Sequence, residues 1–220
     1  MPAAGRGERA GTGEPKQFRP IAGVPMLLRA IRPFAQHPRV REIVVALPSE
    51  FAAAPPPWLS GVAGDRLRLV AGGLTRAGSV RAGLAALSVE CRIVLVHDAA
   101  RPFVAPETVE AVIARAMAGV GAVAAVPVAD TLKRVNGARV AETVARQGLW
   151  RAQTPQGFPR ELLERAYQAW GLAPAGADVT DDASIVEAAG LPVEVVVDRT
   201  TNFKITTPED FAMAEALATR

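Results

Sequence analysis

Short, almost wholly apolar runs recur along this chain at Glu42–Leu47 (EIVVAL), Arg68–Val70, Arg92–Val96 (RIVLV), Ala122–Val128 and Val193–Val197. Segments of helical period lie between or after them: Pro25–His37, Ser79–Leu87, Pro106–Ala118, Pro159–Trp170 and a last one from about Pro208. A strand apolar on both sides must be covered on both, and a helical crossover returns the chain parallel to its start. The alternation therefore predicts an α/β fold, a doubly wound, mostly parallel sheet. Pro48–Leu59 is expected as a proline-rich loop.

The alternation breaks at Asp130–Arg151 (DTLKRVNGARVAETVARQGLWR), where Asn136-Gly137 divides two partly alternating segments. That pattern predicts a β-hairpin. A polar hairpin of about residues 130–152 inserted in such a domain projects, as an arm onto a partner subunit or a flap over a site. The whole chain, 1–220, is expected as one domain carrying this arm.

Composition removes several classes of function. One cysteine, Cys91, excludes a disulfide within the chain and fits a reducing, cytoplasmic setting. The most apolar run, Val120–Ala129, is half a membrane span and contains Pro127. Only His37 and His97 are present, no zinc-type ligand spacing appears, and no Ser-His-Asp arrangement is supported. A net charge of +3 without interleaved aromatic and basic residues favours a small anionic ligand over nucleic acid. Chemistry that uses cations and positioning, with no protein base or nucleophile, fits phosphoryl or nucleotidyl transfer.

Four stretches could carry it. The opening MPAAGRGERAGTGEPKQF holds Gly5, Gly7, Gly11 and Gly13 with Arg6, Arg9 and Lys16. Its glycines let backbone N–H groups approach an anion, although neither the P-loop nor the dinucleotide spacing is met. A solvated terminus is the ordinary alternative. In VLVHDAARPF, Asp98 sits at the C-terminal end of a strand, where open α/β sheets bind ligands, with Arg101 nearby. One carboxylate there suits Mg²⁺, which takes its other ligands from phosphates and water. His97 is expected to be a satisfied structural histidine.

In GGLTRAGSV, Gly72, Gly73, Arg76 and Ser79 lie at a strand-to-helix turn, with Ser79 as the ordinary N-cap alternative. Thr131, Arg146 and Lys204 are scattered candidates, and Thr206 before Pro208-Glu209 looks like a helix start. Of 25 basic residues only Lys16, Lys133 and Lys204 are lysines. Chance explains that bias as well as a need for compact ammonium groups does.

Taken in order, PAAGRGERAGTGEPKQF, HPRVREIVVALP, GGLTRAGSV, VLVHDAARPF, DTLKRV, LWRAQTPQGF, VTDDAS and NFKITTPED resemble the 2-C-methyl-D-erythritol 4-phosphate cytidylyltransferase family. The likeness runs almost end to end, and VHDAARP with QTPQ.F and TDDAS is its most specific part. The resemblance implies a nucleotide-diphospho-sugar transferase-like fold, a homodimer through the hairpin arm, and transfer of CMP from CTP to a polyol phosphate with Mg²⁺. It implies that Ala3, Ala4, Gly5, Gly7, Gly72, Gly73, Arg76, Ser79, Asp98 and Ala99 bind the nucleotide. Arg9, Lys16, Arg146 and Lys204 would act in catalysis. Arg101, Thr131, Arg146 and Lys204 would hold the acceptor, and Asp98 would bind the metal.

Ribitol 5-phosphate as acceptor, or a non-catalytic nucleotide-binding relic, would share most of these motifs. Two departures stand out. Leu74-Thr75 replaces a more polar pair, and Met1 stands where family members end a longer apolar strand that runs into PAAG. The expectation is that the natural start lies upstream, since a central strand's ladder contributes about 0.5–1.5 kcal/mol per hydrogen bond.

Overall fold

The computed structural model describes residues 1–5, 15–59, 61–171 and 181–219. Arg6, Gly7, Arg9, Gly11 and Gly13 lie outside them. The elements run β1 (Pro20–Ile21), β2 (Val24–Pro25), α1 (Met26–Ala35), β3 (Ile43–Leu47), α2 (Ser49–Ala53), β4 (Leu67–Ala71), α3 (Arg76–Ala86), β5 (Ile93–Val96), α4 (Pro106–Met117) and β6 (Gly121–Pro127). There follow β7 (Leu132–Asn136), β8 (Arg139–Val144), β9 (Trp150–Pro159), α5 (Arg160–Gly171), α6 (Asp182–Ala188), β10 (Val193–Val197) and α7 (Pro208–Ala218).

The expected α/β alternation is present. β3 pairs with β4 in parallel, and a second sheet has the order β10-β6-β9-β5, with β10 parallel to β6. β3 is buried along its whole length, as its run of five apolar residues requires, and α1 covers it with Leu27, Ile31 and Phe34. On the second sheet, Val94, Val96 and Phe158 pack against Leu163 and Ala166 of α5 and Ile185 of α6. β9 joins the sheet antiparallel to both neighbours, so the polar stretch from Gln153 to Gln156 runs through the protein's interior.

Three local expectations need correction. Pro48–Leu59 is not all loop, because Ser49–Ala53 forms one short helix with Glu50 in its favourable first turn. α3 begins at Arg76, three residues before the expected Ser79, because the Thr75 side chain caps it by accepting the Gly78 N–H at 3.0 Å. Ser79 instead lies inside the helix. α7 starts at Pro208 as expected, but its cap is Thr207, with Asp210 completing a capping box, and not Thr206.

The facing edges of β3 and β5 do not pair with each other, and a cavity of about 420 Å³ lies beside both. The opening segment Met1–Ala3 lies along β3. The Met1 amine donates to the Val44 carbonyl, Ala46 N–H donates to the Met1 carbonyl and Ala3 N–H donates to the Ala46 carbonyl. This parallel bridge aligns the opening segment with the C-terminal half of β3.

Candidate active site

Three loops meet beyond the C-terminal ends of β3, β4 and β5. The opening segment is tied down by Gln17, whose amide donates to the Ala3 carbonyl at 2.6 Å. It crosses the turn after β4 so closely that a Cβ on Gly72 would lie 2.3 Å from Ala4 Cβ and 2.9 Å from Ser79 Oγ. Gly73 is equally constrained, since a Cβ there would be 2.8 Å from the Gly78 backbone. Glycine is required here for clearance. Ser79 Oγ accepts the Gly73 N–H at 3.2 Å and fixes the turn. Ala3, Ala4, Gly72, Gly73 and Ser79 are thus assembled in one place, at the positive end of α3.

Asp98 lies just past β5, with its side chain 10% exposed and held between two cations. Arg76 Nε donates to Oδ1 at 3.1 Å, and Lys204 Nζ donates to Oδ2 at 2.8 Å. Burial pushes the Asp98 carboxyl up, but Arg76 and Lys204 outweigh it and hold the group well below the usual carboxylate range. The loop that carries Lys204 is pinned where Ile205 N–H donates to Ala100, and Lys16 Nζ donates to the Ile205 carbonyl at 2.8 Å. Lys16, Lys204 and Asp98 therefore share one corner.

His97 is structural. Its Nε2 contacts the Arg101 carbonyl at 2.9 Å, and a carbonyl only accepts, so Nε2 carries the proton. Nδ1 then accepts from Thr154 Oγ1 at 2.9 Å, and that hydroxyl oxygen receives the Asp98 N–H at 3.0 Å. Burial pushes the imidazole down to about 4, which keeps it neutral at pH 7. It fixes the backbone of Asp98 without contributing charge. Ala99 follows, buried. Arg101 donates from Nη1 to the Asn202 carbonyl at 2.8 Å, joining the Asp98 loop to the Lys204 loop.

Arg76 extends the network inward. Its Nη2 lies 2.7 Å from Asp182 Oδ2, and Asp182 has no exposed surface. Tyr167 Oη donates to the other carboxylate oxygen at 2.6 Å, and Gln156 Oε1 accepts the N–H groups of Asp182 and Ala183. Burial works to lower the guanidinium's pKa, and the two carboxylates more than reverse it. Asp182, Tyr167 and Gln156 carried no expected role. Their only sequence signals were the adjacent acids of TDDAS and the polar residues of QTPQ, which gain meaning once β9 runs through the core.

Thr131 and Arg146 are not brought to this corner. Both lie exposed at the base of the β7–β8 hairpin, and Arg146 Nη1 meets the Ala129 carbonyl. No hydrogen bond or ion pair joins either to the Asp98 group among the described residues. The donor chemistry fits a divalent cation that takes one protein carboxylate. Asp98 is anionic at every ordinary pH, and no cluster of three or more His, Cys, Asp or Glu ligands occurs among the described residues. Taken together, paired loops, a helix N-terminus and a knot of fixed cations can bind a polyphosphate and stabilise charge developing on it.

Comparison with known proteins gives one answer. The sequence model described as 2-C-methyl-D-erythritol 4-phosphate cytidylyltransferase (IspD) matches residues 1–220. A protein of that name from Frankia casuarinae is 45% identical over 225 residues, covering 100% of this chain and 80% of the relative. Another from Salinibacter ruber is 44% identical, with 99% and 90% covered. The crystal structure of 2-C-methyl-D-erythritol 4-phosphate cytidylyltransferase from Thermus thermophilus superposes with a TM-score of 0.78 at 38% identity, covering 96% of each chain.

Proposed function

The chain belongs to the 2-C-methyl-D-erythritol 4-phosphate cytidylyltransferase family, and on that premise we propose how its residues divide the work. The enzyme transfers CMP from CTP to 2-C-methyl-D-erythritol 4-phosphate and releases pyrophosphate, a nucleotidyl transfer of isoprenoid precursor synthesis. The observation that supports the assignment of roles is Asp98 clamped by Arg76 and Lys204 beside the Gly72–Gly73 turn.

Backbone groups of Ala3, Ala4, Gly5, Gly7, Gly72, Gly73 and Ala99, with Arg76, Ser79 and Asp98, hold CTP. Lys16 and Lys204, with Arg9, stabilise the charge that builds on the α-phosphate. Arg101, Thr131, Arg146 and Lys204 hold the acceptor. Asp98 would hold Mg²⁺, or another divalent cation, which when bound neutralises phosphate charge. The acceptor monoester has a second pKa of about 6, so it is mostly a dianion at neutral pH and attacks without a protein base. What opposes reaction is repulsion between this dianion and CTP. Fixed cations offset it and align the two phosphates. The neutral, internally bonded His97 supports this reading, since the buried imidazole near the centre is already occupied.

The hairpin supports a homodimer in which each arm serves the partner's site. Among the described residues β7 and β8 pair only with each other, and Val135, Val140, Leu149 and Trp150 are exposed. A single nucleotidyltransferase unit acting in the cytoplasm fits a described chain with no helix long and apolar enough to cross a membrane. Pyrophosphate release with CTP, Mg²⁺ and either acceptor tests the assignment. Turnover with 2-C-methyl-D-erythritol 4-phosphate far above that with ribitol 5-phosphate is expected, and the reverse order would overturn it.

A further inference from the structure

Arg76 is shared between two carboxylates that differ in every other respect. Asp98 stands at the rim of the site and also meets Lys204, whereas Asp182 is sealed in the interior at the start of α6. Nε of Arg76 serves Asp98 at 3.1 Å, and Nη2 serves Asp182 at 2.7 Å. Neither Nη2 nor Asp182 Oδ2 has a hydrogen-bond partner of its own among the described residues, so the ion pair is all that satisfies them.

A guanidinium next to a carboxylate ordinarily engages it with two parallel N–H bonds. Here the second edge is taken by Asp182, which Tyr167 and Gln156 hold in place. With both carboxylates ionised, Asp98, Asp182, Arg76 and Lys204 balance to zero, where Asp98 with Arg76 and Lys204 alone would carry +1. We propose that Asp182 is a positioning residue that restrains the far edge of Arg76 and so leaves the Asp98 carboxylate less fully neutralised toward a divalent cation. This rests on the reading of Asp98 as the cation's carboxylate. Removing the Asp182 charge lets Arg76 close on Asp98 with both N–H edges, and Asp98 then attracts a cation less.

The test uses equilibrium binding without turnover. Calorimetry gives the affinity for CTP in EDTA and in saturating Mg²⁺, and the ratio of the two is the cation's coupling to CTP. Asp182→Asn is expected to lower that ratio about tenfold, within the usual range of coupling between two ligands. In an Arg76→Gln background the same change is expected to move it less than about twofold, because Asp182 acts through Arg76. That pair of variants removes both buried charges together, which protects folding. Tyr167→Phe keeps the Asp182 charge and is expected to hold the ratio within about twofold.

An unchanged ratio in Asp182→Asn overturns the proposal, as does an equal loss in the Arg76→Gln background or a tenfold loss in Tyr167→Phe. Asp98→Asn separates the two readings. If it lowers the ratio while Asp182→Asn does not, only the positioning role fails. If Asp98→Asn leaves the ratio intact, the metal reading fails and takes this one with it.

Discussion

The Asp98 corner and the β7–β8 hairpin hold residues assigned to one reaction under opposite physical conditions. In the corner, Asp98, Arg76 and Asp182 are mostly or wholly shielded from water and bonded to partners far away in sequence. In the hairpin, Arg134 pairs with Glu142 and Lys133 with Thr143 across the two strands, in full exposure. Charges in a dry, cross-braced setting hold their geometry before substrate arrives, whereas exposed pairs contribute little and leave the side chains loose. One region is therefore complete in the folded chain. The other, on the proposed function, would act through what it meets, an acceptor phosphate or a second copy.

Four substitutions test that contrast. The largest effect is expected at Asp98→Asn, which leaves Arg76 and Lys204 without the anion between them. A loss of about 10³ in kcat/KM and about 3 kcal/mol of stability is expected, measured by pyrophosphate release and urea unfolding. An unchanged urea midpoint would show that the corner is not cross-braced as described.

His97→Gln comes next. Burial pushes the folded imidazole down from 6.5 to about 4, so the unfolded chain is expected to bind more protons between those values. Stability from His97 is thus fully present above pH 6.5 and is lost as pH falls toward 4, a total of about 3 kcal/mol. Urea midpoints at pH 7 and pH 5 should converge in the variant relative to the native chain. Equal slopes for both would remove His97 as the cause.

Arg146→Ala should raise KM for the acceptor about 10- to 100-fold, the worth of one charge-assisted phosphate contact, and leave the melting temperature alone. Mixing it with Lys204→Gln chains sharpens the point. A hairpin that serves the partner's site restores activity in the mixed dimer, and one that serves its own does not. The smallest effect belongs to Arg134→Ala, an exposed cross-strand pair, at under about 0.5 kcal/mol. A loss of several kcal/mol would mean that the hairpin is buried in an assembly.

Much of this was legible in the sequence, and the exceptions share a cause. β3, β5, β6 and β10 are runs of apolar residues and betray themselves, as does the Asn-Gly hairpin. Gly5, Gly72 and Gly73 were legible as glycines that let backbone approach a ligand and Asp98 as a carboxylate at a strand end, whereas Ala3 and Ala4 came only through the family resemblance. β9 was not, because its buried part carries Gln153, Thr154 and Gln156, most of whose polar groups bond to partners distant in sequence. Asp182 was hidden for the same reason, since its partners Arg76 and Tyr167 come from α3 and α5. Local pattern reports hydrophobic period, and buried polar networks have none.

On the proposed mechanism, fixed positive charge brings two phosphorylated substrates into reaction with no proton abstraction. The most direct measurement is pyrophosphate release from CTP and 2-C-methyl-D-erythritol 4-phosphate by Lys16→Gln and Lys204→Gln, each verified as folded. A fall in kcat/KM of about 10²–10³ for each is the predicted result. Turnover within about twofold of the native enzyme in both would contradict it.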